Sequence, residues 1–498
     1  MVPADFSEHF PDSKPIDQGP WCGFVRPSLI MPEDPNFDRV ASIFYSECKK
    51  IPGADAVHYY SVDPFHEGGR TEEIDLFDYS TRVYNTMLKM DPDAVWMFQG
   101  WTASPKPEML TAIPDGRAIV TALSAKADCK AGIYSGAPWI YCAVYCYGGQ
   151  YNFSGNVEGV LEGSFNALDR DDTNVIGMGY MPESVNCNEI IYEIYSRNTF
   201  GNKSNLESFI PYYLNTRYGF CDDKLADVWT RFSKEVLNGT TLKSGESALC
   251  ARPSLTVKNT SYWGNKPNPF VDQSIIIEYI SVMLQYYDRL KESAGYRKDL
   301  MEATRQAISN LSWYYAHMIP VAYESKDIDA LSYYGKEMLS LIDIQEAVVA
   351  TDPDMLLGKW LEKAKRHGKT PAEKAYFEWN ARVQITLWAN REGAKLLRDY
   401  AAKEWQGLLS DFYRPRWESF ITRLELSLFT KTPLEAINNY DEELPFVYRK
   451  NQYPTEPIGD LRTAVSVALE KLCATKIVHK EETEAQPDFE TNVAQTFS

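Results

Sequence analysis

Two glutamates follow apolar, strand-like runs at places where the chain turns sharply. The first lies in Tyr59-Tyr60-Ser61-Val62-Asp63-Pro64-Phe65-His66-Glu67-Gly68-Gly69, the second in Val175-Ile176-Gly177-Met178-Gly179-Tyr180-Met181-Pro182-Glu183. Proline and paired glycine end a strand abruptly and leave the following carboxylate at a rim. Two carboxylates so placed suit glycoside hydrolysis. One carboxylic acid protonates the leaving oxygen, and the second attacks the anomeric carbon or activates water. The bare pattern also fits ordinary surface glutamates in turns, and spacing along the chain says nothing about distance in space. Asp63 and His66 equally fit turn and capping roles.

Gln99-Gly100-Trp101 and Tyr147-Gly148-Gly149-Gln150 follow other strand-like runs, so Trp101 is a candidate floor for a sugar pocket. Most tryptophans are simply core, and that reading stays open for Trp101. Other chemistries have less support: the chain has no GxSxG elbow, HExxH, P-loop or GxGxxG, and its six histidines are scattered singly, which argues against a metal-dependent hydrolase.

The elements that position these residues change type along the chain. Up to residue 204, β-rich runs alternate with turns and helical stretches. The runs are Ala56–Val62, Ala94–Gln99, Ala118–Ser124, Pro138–Tyr145 and Asn174–Tyr180, and they predict parallel strands of a (β/α) barrel. Five such runs fall short of the eight that a closed barrel needs. From residue 205 helical periodicity takes over. Ile276, Ile280, Met283, Tyr287 and Leu290 share one face, as do Leu300, Thr304, Ala307, Ile308 and Leu311, and similar runs cover Ala330–Val349, Ala372–Trp388 and Lys395–Leu409. A helix after Glu183 has Ser184 or Asn186 as candidate N-cap. The expected organisation is an α/β portion, an incomplete (β/α)8 barrel over residues 1–204, then an all-α domain over 205–475 and a polar tail over 476–498.

Composition narrows the partners. The 498 residues leave room for roughly two to four domains. With 51 basic against 69 acidic side chains, the net charge of -18 repels nucleic-acid backbones and anionic lipid headgroups. An aromatic content of 13% favours a neutral polyol ligand, whose C–H faces stack on rings. Nine cysteines without repeated CxxC spacing argue against a zinc ribbon and leave the redox compartment open. N-x-S/T triplets at Asn152, Asn202, Asn238, Asn259 and Asn310 are glycan acceptors only in a secreted eukaryotic chain. No apolar run reaches the roughly 18 to 20 residues of a membrane span. The beginning, MVPADFSEHF, has no signal-peptide pattern.

In order along the chain, the segments DPFHEGG, AVWMFQGW, YGG, GMGYMPESVNCNEIIYE, RYG (Arg217–Gly219), NARVQITLW (Asn380–Trp388) and DYAAKEWQGLLSDFYRPRW (Asp399–Trp417) resemble the α-N-acetylglucosaminidases of glycoside hydrolase family 89. The resemblance covers nearly the whole chain. It implies a barrel followed by a helical domain that leans over the barrel mouth and helps wall the pocket. It implies Glu67 as general acid/base, Glu183 as nucleophile and Trp101, Trp388 and Tyr400 as substrate-binding aromatics. It also implies double displacement with retention, with the carboxyls about 5 to 5.5 Å apart, Glu67 starting protonated and Glu183 ionised. No metal or organic cofactor is expected, and the partner is a glycan ending in α-linked N-acetylglucosamine. Relatives of this kind are lysosomal, secreted or periplasmic. Two departures stand out. Cys146 occupies the place where the family commonly has Asn before the aromatic and two glycines, a poor exchange if that Asn contacts sugar hydroxyls. The chain also starts after the point where family members have a small domain and the first barrel strands, which leaves a fragment, a partner-supplied segment or an inactive carbohydrate-binding remnant as alternatives.

Overall fold

The computed structural model describes all residues except 103, 124–131, 145, 150–152, 154–156, 187, 202, 238–245, 262–272 and 476–498. The expected polar tail, Cys129, Cys187, Gln150, the triplet positions Asn152, Asn202 and Asn238, and the run ends Ser124 and Tyr145 lie outside the described residues.

An antiparallel hairpin of β1 (Pro20–Trp21) and β2 (Phe24–Val25) precedes the main sheet. The sheet contains β3 (Tyr59–Ser61), β4 (Val95–Gly100), β5 (Ala118–Ala122), β6 (Trp139–Ala143) and β7 (Val175–Tyr180), all parallel and neighbouring in sequence order. Each predicted run contains one of these strands, except that β4 extends one residue beyond its run, to Gly100. In β4 the buried positions alternate, with Trp96 and Phe98 stacked at 4.5 Å between ring centroids. Burying a side chain such as Phe98 contributes about 1.5 to 3 kcal/mol. Helices α1 (Phe37–Cys48) and α2 (Leu76–Met90) accompany the sheet. α2 starts where the Asp75 carboxylate accepts the Asp78 N–H, and it adds Tyr79, Val83, Tyr84 and Met87 to the sheet's core.

A closed barrel of this type has eight strands and no edges. Here the arc stops at β3 on one side and β7 on the other, and Tyr59 and Ile176 on those edge strands are more than half exposed. The expected incomplete barrel is therefore what the described residues form.

The helical half contains α3 (Val157–Leu168) and α4 (Glu189–Thr199) beside the sheet, then α5 (Leu206–Tyr218), α6 (Asp223–Glu235), α7 (Gln273–Gln285), α8 (Ala294–Glu324), α9 (Ile328–Val349), α10 (Leu357–Lys365), α11 (Pro371–Gln384), α12 (Arg414–Thr430), α13 (Asn439–Tyr448) and α14 (Leu461–Ala474). Residues from α3 and α4 belong to the same hydrophobic core as the later helices, so the barrel's outer layer and the helical domain share one interior. The face Leu300, Thr304, Ala307, Ile308 and Leu311 of α8 is fully buried, as its period predicts.

Four expectations change. The run from Ile276 to Leu290 is two helices, because α7 ends at Gln285 and a short helix covers Tyr287–Leu290. The helix expected over Ala372–Trp388 stops at Gln384, before Trp388 turns into left-handed backbone (φ +61°). Neither Ser184 nor Asn186 caps α4, whose N-cap is Asn188 at φ +53° without a side-chain cap bond. The run Lys395–Leu409 is not one helix: only Ala394–Leu397 is helical before Asp399 and Ala402 turn left-handed, and a π-helical turn at Leu409–Tyr413 then leads into α12. Its periodic residues are buried because this strap is packed on all sides, not because they line one helix face. Its buried polar groups Lys403, Glu404 and Gln406 bind partners far away in the chain, and Asp399 binds Arg416 beyond the π-helical turn.

Candidate active site

Glu67 sits in the turn that follows β3. The Asp63 carboxylate ties this turn to β4 by accepting the Gln99 N–H at 2.9 Å, while Phe65 anchors it in the core against Tyr79. Burial pushes the Asp63 carboxyl up, and the Gln99 bond opposes this. Glu67, Gly68 and Gly69 are all left-handed, at φ +54°, +104° and +118°, which explains the two glycines. The Arg26 guanidinium donates to the Glu67 carbonyl at 2.5 Å and holds the strained turn from outside.

The Glu67 carboxyl is gripped by two indoles. Trp101 Nε1 donates to Oε1 at 2.8 Å, and Trp21 Nε1 donates to Oε2 at 3.1 Å. Trp101 comes directly after β4 and is one of the predicted residues. Trp21 ends β1 and was not anticipated, nor was Arg26 beside β2. Pro20-Trp21-Cys22-Gly23-Phe24 does have the form of a hairpin with a two-residue turn, and that was the available signal. The hairpin tip lies against the helical domain: a Cβ on Gly23 would stand 2.9 Å from the Gly393 Cα. Burial, followed by the Glu67 charge, pushes the Cys22 thiol up.

Glu183 sits in the turn after β7. Its Oε2 accepts the Gly148 N–H at 2.6 Å, and the Tyr400 hydroxyl lies 3.0 and 3.1 Å from its two oxygens. The turn after β6 therefore supplies a backbone donor, and the helical domain supplies a phenol. Gly148 is left-handed (φ +65°) and has no room for a side chain, since a Cβ there would meet the Tyr400 carbonyl oxygen at 2.0 Å. Lys403 Nζ donates to the Gly149 carbonyl, a second tie between strap and turn.

Tyr400 places both glutamates in one electrostatic neighbourhood. Burial first, then the charge and hydrogen bond of Glu183, Tyr147 and lastly Glu67, hold its phenol far above the usual tyrosine range. It is thus a neutral donor at any working pH. Burial and Glu183 do the same to Tyr147. Trp388 packs edge-on against Tyr400 at 5.6 Å, and Trp101 stands 6.3 Å from Tyr147. All five residues expected at the site, Glu67, Glu183, Trp101, Trp388 and Tyr400, are linked into this group through these contacts. A cleft of about 350 Å³ adjoins it where barrel and helical domain meet, with Glu183, Trp388, Trp360, Lys359, Lys363 and Lys403 in its walls.

Cys146 is buried, and its thiol pairs with the Tyr192 hydroxyl at 3.1 Å. Tyr192 in turn donates to the Ser184 carbonyl at 2.9 Å, next to Glu183. The thiol therefore belongs to the packing behind the Glu183 turn.

Residues 1–202 match the family model described as the α-N-acetylglucosaminidase (NAGLU) tim-barrel domain, and residues 209–471 match that of the NAGLU C-terminal domain. The chain belongs to the α-N-acetylglucosaminidase family. Human α-N-acetylglucosaminidase is 31% identical over 487 residues, which cover 92% of this chain and 64% of the human protein. A family 89 glycoside hydrolase from Clostridium perfringens in complex with PUGNAc superposes with a TM-score of 0.88 at 29% identity, covering 95% of this chain and 55% of that one. A doubly glutamate-to-glutamine-substituted form from the same organism, in complex with its substrate GlcNAc-α-1,4-galactose, has a TM-score of 0.88 at 28% identity over 94% of this chain and 55% of that one. This member of the α-N-acetylglucosaminidase family thus spans a little under two thirds of its human relative and just over half of the bacterial ones. The family found is the one that the ordered motifs resemble.

Proposed function

We propose that this chain carries the catalytic centre of a retaining exo-glycosidase that removes terminal, non-reducing α-linked N-acetylglucosamine from glycans. Its two parts are a barrel portion over residues 1–204 and a helical portion over 205–475. Glu183 attacks the anomeric carbon while the bond to the leaving oxygen breaks and Glu67 gives that oxygen its proton. Glu67 then takes a proton from water, which displaces Glu183, frees the sugar with its α configuration and restores the acid. Trp101, Trp388 and Tyr400 wall the sugar.

The observation that carries this reading is the role of Tyr400. Its phenol donates to Glu183 and also feels the charge of Glu67, which supports the reading that the two carboxylates act on one bound sugar. Indole N–H groups donate only, so Trp21 and Trp101 orient the Glu67 carboxyl without competing for the proton it is proposed to transfer. The Gly148 N–H and the Tyr400 hydroxyl hold the Glu183 carboxylate in place for attack and afterwards stabilise the ester carbonyl.

Hydrolysis of a chromogenic aryl α-N-acetylglucosaminide tests the reading. Glu67→Gln and Glu183→Gln are each expected to lower kcat/KM by at least about a hundredfold, with α-N-acetylglucosamine as the first anomer seen by NMR in the parent. Persistent turnover in either variant, or initial release of the β anomer, overturns it. The open edges at β3 and β7 favour a second reading, a carbohydrate-binding chain without turnover. Sugar binding by a parent that does not hydrolyse would select that alternative.

A further inference from the structure

The strap that presents Tyr400 is held in costly backbone by charges buried behind it. Trp388, Asp399 and Ala402 have φ of +61°, +54° and +39°, so three residues with side chains occupy left-handed conformations around Tyr400. Such conformations persist only where surrounding structure enforces them, and they cluster at working sites. Asp399, immediately before Tyr400, is the point of enforcement. It is completely buried, its N–H donates to the Thr386 carbonyl at 2.8 Å, and its Oδ1 accepts from Arg416 Nη2 at 3.0 Å.

Arg416 spends its whole fork here. Nη1 donates to the Cys250 carbonyl at 2.8 Å, and Nε pairs with Glu443 at 2.7 Å, while Arg252 grips both oxygens of Glu443. Two carboxylates and two guanidiniums thus form a largely buried, paired set, with the Arg398 guanidinium close enough to feel all four. Burying such a set adds little to stability compared with apolar packing, but its directional bonds fix geometry. What they fix is the turn at Asp399, and the next residue is the one whose hydroxyl lies on Glu183.

We propose that Asp399 and Arg416 are positioning residues for hydrolysis, acting through the left-handed turn at Asp399 to set the Tyr400 hydroxyl on Glu183. The proposal rests on Glu183 being the nucleophile. Neither residue is assigned contact with the sugar, so their loss should act on kcat rather than on KM, and only by way of Tyr400.

The test is a double-mutant cycle in the protein, with kcat and KM measured on an aryl α-N-acetylglucosaminide. Asp399→Asn keeps size and tolerates positive φ, so it is expected to fold, with a lowered Tm because Arg416 loses its buried charge partner. Tyr400→Phe removes one hydrogen bond to a charged group and should lower kcat about ten- to a hundredfold. Asp399→Asn should lower kcat by a comparable factor with KM within about threefold, and the double variant should be no slower than Tyr400→Phe alone. Arg416→Lys keeps the charge but cannot serve three partners with a single ammonium. It should fall between the parent and Asp399→Asn. If the parent binds but does not turn over, the dissociation constant of 2-acetamido-1,2-dideoxynojirimycin, which a family 89 relative binds, replaces kcat in the same cycle. Factors that multiply in the double variant, or parental kcat in Asp399→Asn while Tyr400→Phe is impaired, overturn the proposal alone. Parental turnover in Glu183→Gln overturns the nucleophile reading and the proposal with it.

Discussion

At the scale of single residues, the least symmetrical feature is the pair of holds on the two carboxylates. Glu67 receives two indole donors, whereas Glu183 receives a peptide N–H and a phenol. Trp21 is the member that the sequence alone did not single out, because its partner lies 46 positions away. Removing its donor while keeping an aromatic body isolates the hydrogen bond. Trp21→Phe should cost about 1 to 2 kcal/mol, roughly five- to thirtyfold in kcat/KM, without lowering Tm by more than a few degrees. Steady-state kinetics decide this, and parental kcat/KM would mean that Trp101 suffices to orient Glu67. The glutamates themselves were legible because a proline-broken apolar run is a local pattern. Cys146 was legible as a departure from the family pattern, but its partner Tyr192 was not.

At the scale of elements, the strap between Trp388 and the π-helical turn at Leu409–Tyr413 is the instructive piece. Apolar periodicity predicts a helix over Lys395–Leu409. The observed chain instead lies on the turn after β6, with the Tyr400 carbonyl over Gly148 and Lys403 bonded to the Gly149 carbonyl. Helical period measures only how often buried positions recur, and a strap enclosed on all sides buries residues at that frequency too. The close approach makes a sharp prediction. Gly148→Ala puts a Cβ 2.0 Å from the Tyr400 oxygen and imposes a positive φ on a residue that resists it. It should separate Tyr400 from Glu183, lower kcat at least about tenfold and reduce Tm, and a crystal structure of the variant should show the strap displaced. An active variant with the strap in place would contradict the contact.

At the scale of the whole molecule, the sheet formed by the described residues is an arc with two open sides, and the two candidate catalytic glutamates stand after its outermost strands, β3 and β7. The order of the strands along the sheet is that of the sequence, so a (β/α) barrel short of eight strands was readable from the number of β-rich runs, while the family was readable from the ordered motifs. The exposed apolar side chains at the edges were not, because exposure depends on what packs alongside. Ile43, Phe44, Val57 and Tyr59 are each at least half exposed on or near the β3 side, as is Ile176 on β7. Unpaired parallel edges with apolar cover are templates for self-association. A polypeptide of these 498 residues alone should therefore form concentration-dependent oligomers. Tyr59→Lys combined with Ile176→Lys should shift it toward monomer in light scattering. An unchanged mass across concentrations in the parent would remove the edges as the cause.

By itself, the sequence determined the strands and most of the helices, their order, the family and the two strand-end glutamates, since each is written in local periodicity or in short ordered motifs. Only the tertiary structure decided that Trp21 and Trp101 share Glu67, that Tyr400 reaches Glu183 across 217 positions, and that Asp399 is locked by Arg416. The physical reason is common to all three. Hydrogen bonds and buried charge pairs act between groups that folding brings within about 3 Å, and nothing in the chain's local pattern records which distant residue will fill that distance.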